Sequence, residues 1–536
     1  MNQFSMVERL SVPRSQFDRS HGHKFVMDAG WLIPYYWDEV LPGDTFSMQT
    51  HAFIRMATPF FPVMDNAFVD THFFYIPKRI LWDNARKFFG EQANPGDSID
   101  YTIPLLAGTV QSSSNISYAN PTTRQSALLN YIGVPNAVGP NDTDIVALPF
   151  RAYDLIYREW FRDENLIDSP VINTGDGPDN FNTYFTEGLY RRGKRHDYFT
   201  SCLPFPQKGD AVSIPLGTTA PIQSDGNSIN INNGTNTQAL FSTAGTKDLV
   251  SANFTNTNLL KFGSNTDITA TGLEANLTAS AGATINDLRE AFQIQKLLER
   301  DARAGTRYPE LLKNHFGVTF YDNSYRPEYL GGGSTPINIS PVAQQAQNST
   351  AGTTDGTGVG DLAAMGTASI TGHGFTKSFN EHGYVMGIMS VRADLTYQKG
   401  LRRELFKQTR YDIYWPSLAH LGEEAVLSKE IYCDGTAGDE DVFGYQERYA
   451  HYRYKPSQIS GIFQSDATAS LDAWHLSQDF STNRPTLGKA FIEEDPPFDR
   501  VIQVPSEPHF IVDTYNKLKC ARPIPTYGTP GMIDHF

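Results

Sequence analysis

TFSMQTHAFIRM (residues 45–56) alternates: Phe46, Met48, Ala52, Ile54 and Met56 point one way, while Ser47, Gln49, His51 and Arg55 dominate the other side. A period of two marks a half-buried strand. LPGD (41–44), just before it, is a turn signal. Outward from this stretch, AFVDTHFFYI (67–76) is a second β-rich run, closed by Pro77. Residues 385–397 alternate again, with Val385, Met389, Val391, Ala393, Leu395 and Tyr397 against Ser390, Arg392, Asp394 and Thr396. RVIQVP (500–505) and HFIVDTY (509–515) are short strand candidates. Strand signals cluster at both ends of the chain, and the fold expected is mainly β.

The chain has 536 residues, long for one compact domain. Charged residues make up 19% and aromatics 12%, and 43 Gly with 32 Pro point to long connections. Hydrophobic content of 40% supports a sizeable core, so the composition is that of a loop-rich β protein, not a disordered one. The formal net charge is −15. A surface that gripped nucleic acid everywhere would be basic, so any such contact must be local or helped by cations or a basic partner. Three widely spaced cysteines (Cys202, Cys433, Cys520) exclude a disulfide framework and a CxxC zinc pattern. No secretory apolar block opens the sequence, and no run approaches the roughly 18 apolar residues of a membrane span.

The middle of the chain reads differently. In LPFRAYDLIYREWFRDENLI (148–167), Tyr153, Ile156, Tyr157 and Trp160 fall at helical spacing. INDLREAFQIQKLLERDARA (285–304) is the clearest helix, stopped by Gly305 and expected to pack Leu288, Phe292 and Leu298 on the core. Residues 218–284 are rich in Ser, Thr, Asn, Gly and Ala yet keep periodic apolar residues, as an exposed lobe would. Residues 331–374, richer still in Gly, Ser and Thr, read as a long loop.

No P-loop, GxSxG elbow or HExxH occurs. His21 and His23 share one side of an extended segment but lack acidic or cysteine partners, so no metal and no cofactor is expected. YRRGKRHDYF (190–199) offers Arg191, Arg192, Lys194 and Arg195 as DNA-contact candidates, against the commoner reading of a solvated or subunit-pairing cluster. EEDPPFD (493–499) and DGTAGDED (434–441) fit no calcium loop and read as exposed turns. FGYQERYAHYRYKP (443–456) is dense in rings and cations. Tyr445, Tyr449 and Tyr452 lie at helical spacing, and Pro456 forces an extended exit. Tyrosine in this density favours packing or an interface over base stacking, which makes Tyr445, Arg448, Tyr449, Tyr452, Arg453 and Tyr454 the subunit-interface or packing candidates.

Taken together, FDRSHGHKFVMDAGWLIPYYWDEVLPGDTF (17–46), NAFVDTHFFYIPKRILWDN (66–84), RRGKRHDYFTSCLPFPQKG (191–209), TINDLREAFQIQKLLERDARAGTRY (284–308), HFGVTFYDNSYRPEYLGG (315–332) and FGYQERYAHYRYKPSQISG (443–461) resemble the major capsid proteins of Microviridae, small single-stranded DNA phages, of the gokushovirus type. The resemblance implies a single eight-stranded viral jelly roll, an antiparallel β-sandwich with long loop insertions containing a few helices. It places the sandwich in 1–80 and 375–536, with inserted helices and loops in 81–330 that include a surface protrusion at 218–284. It implies sixty copies in a T=1 shell around a circular single-stranded DNA genome, assembled in the cytoplasm of a bacterial host. Its implied partners are further copies of the chain, viral single-stranded DNA, a small basic DNA-binding protein, an internal scaffolding protein, a pilot protein and a host surface receptor. The host-attachment candidates are Asn233, Asn253 and Asn276 within the protrusion. The chain is not expected to be an enzyme. The rival reading is a β-sandwich carbohydrate-binding or carbohydrate-active protein, suggested by aromatics, acidic pairs and the same three Asn-x-Ser/Thr sites.

Overall fold

A computed structural model describes residues 13–108, 128–135, 144–180, 188–212, 285–319, 321–322, 325–345 and 362–527, together with the backbone of seven short strands between 222 and 275. The chain divides into two compact units, one of 1–206 with 304–536 and one of 207–303.

The first unit is a two-sheet sandwich. Its strands are β1 (Ser15–Asp18), β2 (His21–Met27), β3 (Ile33–Val40), β4 (Thr45–Met56), β5 (Ala67–Pro77), β6 (Glu328–Pro336), β7 (Asn338–Ala343), β8 (Leu362–Ser378) and β9 (Gly383–Ala393), with a hairpin of β10 (Glu423–Leu427) and β11 (Val442–Glu447), and β12 (Phe510–Arg522). One sheet runs β2-β12-β4-β8, with β1 also on β12 and β7 on the far edge; the other runs β6-β5-β9-β3. All these pairings are antiparallel. Two four-stranded sheets, with the last strand inserted between the first and third core strands, make the viral jelly roll. β4 keeps the alternation read from its sequence, with even-numbered residues from Phe46 to Met56 buried. They meet the second sheet in a ring-rich core, where Tyr35 and Phe375 pack on Phe73, and Phe379 packs on both Phe46 and Tyr75.

Several expectations are corrected. Residues 331–374 are not one loop: described residues 328–336, 338–343 and 362–378 are strands of the sandwich. Their glycines serve close backbone approach. Gly332 has φ +158°, and a Cβ there would lie 1.9 Å from the Thr71 carbonyl oxygen. Gly332→Ala is therefore expected to cost about 3 kcal/mol and loosen the β5–β6 pairing, read by urea unfolding of the unassembled subunit. The sandwich thus draws on 15–77, 328–393 and 510–522, and residues 394–509 form a second insertion. RVIQVP folds as a short 3-10 turn and loop, with one isolated bridge from Ile502 to Pro59. The alternating run at 385–397 ends as a strand at Ala393 and is buried on both sides, Ser390 and Arg392 included.

The inserted elements explain that double burial. Helix α1 (Leu148–Ile156), wholly buried, continues as a π-helical turn over Tyr157–Phe161, and Trp160 and Phe161 pack on Phe74 of β5. Arg151 donates to both carboxylate oxygens of Asp179 at 2.7 Å and to the carbonyls of Leu81 and Gly175.

The second unit contains short antiparallel strand pairs and most of helix α2 (Ile285–Ala304). The buried apolar face expected of α2 is not formed. Leu288 and Phe292 are exposed, and Ala302 is its sole buried residue.

Candidate assembly interface

The insertion 394–509 builds a satellite core together with residues 198–202. Tyr198, Phe199 and Cys202 pack with Tyr397, Val426, Ile431, Tyr432, Phe443 and Phe491. The β10–β11 hairpin is locked by charge. Arg403 donates to Glu424, to Glu430 at 2.9 Å and to the Ala425 carbonyl at 3.0 Å. Glu430 also accepts from the Tyr198 hydroxyl at 2.9 Å; burial pushes its carboxyl up, against the pull of Arg403.

FGYQERYAHYRYKP lies on the end of this hairpin, and it is not a helix. Tyr445 sits in β11 and exchanges two backbone hydrogen bonds of 2.8 Å with Leu203, joining two chain segments. The chain then turns at Tyr449, which adopts the left-handed region at φ 65°, and runs through a 3-10 turn, Ala450–Tyr452. Tyr449 is buried. Its hydroxyl donates toward the Ile413 carbonyl at 3.2 Å and the Tyr411 carbonyl at 3.4 Å, and its amide donates to Glu424 at 3.1 Å. Arg448 lies 5.1 Å from the Tyr449 ring, and Arg453 pairs with Glu447. Tyr452 and Tyr454 are each 53% exposed, with the Lys407 ammonium 4.1 Å from the Tyr452 ring centre. His451 is held down to about 4 by burial, and by Lys407 and Arg403 near by.

The tyrosines thus divide into joints (Tyr445, Tyr449) and an exposed set (Tyr452, Tyr454). The same insertion adds exposed residues that sequence reasoning missed, with Tyr414 edge-on to Tyr452 at 6.4 Å. Leu405, Tyr411, Ile413, Tyr414, Trp415 and Leu421 are all exposed, and Tyr414 packs edge-on against Tyr449 at 5.2 Å. The signal was present in FKQTRYDIYW (406–415), as dense in rings and cations as the run that was singled out. Exposed apolar residues gathered in one insertion, with Tyr414 and Tyr452 in ring contact, make this a candidate interaction surface.

The basic run 191–195 is placed differently from its expected role. The Arg191 guanidinium lies 4.5 Å from the Trp31 ring centre and pairs with Asp495 at 2.6 Å. Arg192 donates to Asp70 at 2.7 Å and to the Ser390 hydroxyl at 3.0 Å. Lys194 is buried against Phe491 and donates to Gln478 at 2.6 Å; burial lowers its ammonium to about 8. Arg195 is exposed. Arg191 and Arg192 therefore fasten the insertions to the sandwich, and Lys194 joins one insertion to the other. Asp70 in β5, which accepts from both Arg192 and Arg392, is the centre of that seam. Two acidic residues expected in exposed turns are buried: Glu494 accepts from the Ala393 amide at 3.1 Å, and Asp439 pairs with Arg484 at 2.8 Å.

Asn233, Asn253 and Asn276 lie outside the described residues. His21 and His23 each bond a backbone carbonyl, of Arg19 and Tyr35. Among the described residues no His, Cys, Asp and Glu side chains group as metal ligands, and no helix is long and apolar enough to cross a membrane.

Comparison with known proteins agrees with the jelly roll. Residues 5–532 match the family model described as capsid protein (F protein). The chain is 43% identical to capsid protein VP1 of Bdellovibrio phage phiMH2K and 38% identical to capsid protein VP1 of Chlamydia phage 1, in each case over 99% of this chain and 98% of the relative. Capsid protein VP1 of Spiroplasma virus 4 is 32% identical over the same shares. An antiparallel jelly roll, long insertions ending in exposed aromatic surface, and similarity along the whole chain lead to one conclusion: the protein belongs to the F-protein family of phage capsid proteins, of the gokushovirus type within the Microviridae.

Proposed function

We propose that this chain is the shell-forming subunit of a virion: sixty copies closing a T=1 particle around circular single-stranded DNA. The match to capsid proteins over residues 5–532 carries the reading. Its physical support is the exposed aromatic surface of 405–421 and 452–454. Surfaces rich in Tyr, Trp and Leu bind by desolvation, and many weak contacts repeated around a closed shell sum to a stable cage. We assign this surface to contact with another copy of the chain. The separate unit 207–303 is the candidate for the three-fold protrusion that attaches to a host receptor. Packaging by a chain of net charge −15 calls for a small basic DNA-binding protein, and assembly for an internal scaffolding protein and a pilot protein.

Sedimentation and negative-stain imaging of native material test the reading. Closed particles with nuclease-protected DNA are expected; small soluble oligomers without protected DNA sink it. Trp415→Asp with Tyr452→Asp tests the assigned surface. Subunit stability should change by no more than about 0.5 kcal/mol per exposed site while particle yield falls at least tenfold. Normal particle yield would move the contact elsewhere.

A further inference from the structure

The two sheets of the sandwich are covered unequally. β9, central in one, is buried at all eleven positions because the insertions pack on its outer side, where Arg192 bonds the Ser390 hydroxyl and Glu494 accepts from the Ala393 amide. In the other sheet β12 alternates strictly buried and exposed from Phe510 to Cys520, and β4 does nearly the same. Its outer face therefore stays open. Register places Ile511 opposite Arg55, Asp513 opposite Phe53, Tyr515 opposite His51, Lys517 opposite Gln49 and Lys519 opposite Ser47, all on that one face. Lys24 joins it from β2, opposite Asp513, and Asp18 from β1, opposite Lys519.

Two features of this face are unusual for this chain. It is basic: Lys24, Arg55, Lys517 and Lys519 stand against Asp18 and Asp513, in a protein of net charge −15. The Lys24–Asp513 pair is loose, at 3.9 Å with both side chains well exposed. It also exposes rings. Phe53 is 45% and Tyr515 51% exposed, and the Arg55 guanidinium stands 5.4 Å from the Phe53 ring centre. Phe53 and Tyr515 are diagonal neighbours across the β4–β12 pair, roughly 7–8 Å apart, so consecutive bases can stack on successive rings. An open groove of about 640 Å³ adjoins them, lined by Phe53, Arg55, Ile511, Lys24 and Tyr131.

We propose that this open sheet face holds the packaged single-stranded DNA, with Phe53 and Tyr515 stacking bases and Lys24, Arg55, Lys517 and Lys519 meeting phosphates. The assignment rests on the genome-enclosing shell proposed above and names the surface that faces the genome. Sequence-independent single-strand binding needs exposed rings beside a positive track, and this face supplies both. Charge complementarity separates it from a joint between copies: interface cores are depleted of charge, and four cations here would have to be desolvated. The sequence-level candidates Arg191, Arg192 and Lys194 spend their donors on internal partners, whereas Lys517 and Lys519 point to solvent along one strand.

Ultraviolet crosslinking of intact particles, followed by peptide mapping, tests this directly. Adducts are expected on the peptides carrying Phe53 and Tyr515. Lys517→Gln with Lys519→Gln should still form particles, but protected DNA per particle should fall severalfold. Full-length subunits titrated with an oligo(dT) probe should show a log–log salt slope shallower by about 1.4, at about 0.7 per lost phosphate contact. Adducts confined to other surfaces overturn the proposal, as does a double variant that folds but cannot form particles, which would make the face a joint between copies. Wild-type particles lacking protected DNA would instead remove the genome-enclosing reading itself, and this assignment with it.

Discussion

Asp70→Ala is expected to destabilise the unassembled subunit by about 3–5 kcal/mol, because removing one partner leaves buried charge uncompensated. Asp70 Oδ2 accepts from Arg192 Nη1 at 2.7 Å and from Arg392 Nε at 2.8 Å, and Arg392 is 2% exposed. Without the carboxylate, Arg392 is left with the half-exposed Asp394 at 3.9 Å, a weaker match for its buried charge. The site also makes a pH prediction. Burial raises the Asp70 carboxyl, but Arg192, a hydrogen bond from Ser334 and then Arg392 outweigh it and hold it down at about 2. A carboxyl lowered on folding stabilises above its unfolded value, about 3.9, and loses that contribution as pH falls toward the folded one. Urea midpoints of the wild type should therefore decline between about pH 5 and 2, and the decline should be shallower in Asp70→Asn. Equal slopes would show that other carboxylates govern acid unfolding.

Tyr449→Ala should cost a further large amount, about 3–5 kcal/mol, the range for deleting a buried ring. The loss is compounded because its hydroxyl holds the carbonyls of Tyr411 and Ile413 in place. Tyr449→Phe keeps the ring and should cost about 1 kcal/mol. The readouts are subunit unfolding, proteolytic cutting within 405–415, and particle yield, all of which should respond to the alanine variant. Tyr452→Ala, at an exposed ring, should leave unfolding unchanged and lower particle yield alone. Normal particles that had lost their DNA would instead return 443–456 to base stacking.

The contrast between these two tyrosines shows where sequence reasoning stopped. Their spacing suggested one helical face, but the left-handed turn at Tyr449 sends one ring inward and leaves the next in solvent. Nothing local signals this, since a positive φ at tyrosine is maintained by the Glu424, Tyr411 and Ile413 contacts brought from other parts of the chain. Arg191, Arg192 and Lys194 failed as surface candidates for the same kind of reason. Their partners Asp495, Asp70 and Gln478 lie from 122 residues before Arg192 to 304 residues beyond Arg191. The glycine-rich stretch at 331–374 misled by composition: low complexity resembles a loop, but at Gly332 and Gly374 it is what lets one strand approach another closely.

By itself the sequence determined the β character, the alternating face of β4, a strand at 509–515, the helices at 148 and 285, and the family, because these are written in local periodicity and in motifs spread along the chain. Only the tertiary structure decided which cations are buried in ion pairs, which tyrosines are joints, and which sheet face remains open. Those properties depend on what each side chain meets across hundreds of residues, and burial and charge pairing are settled by that meeting, not by spacing along the chain.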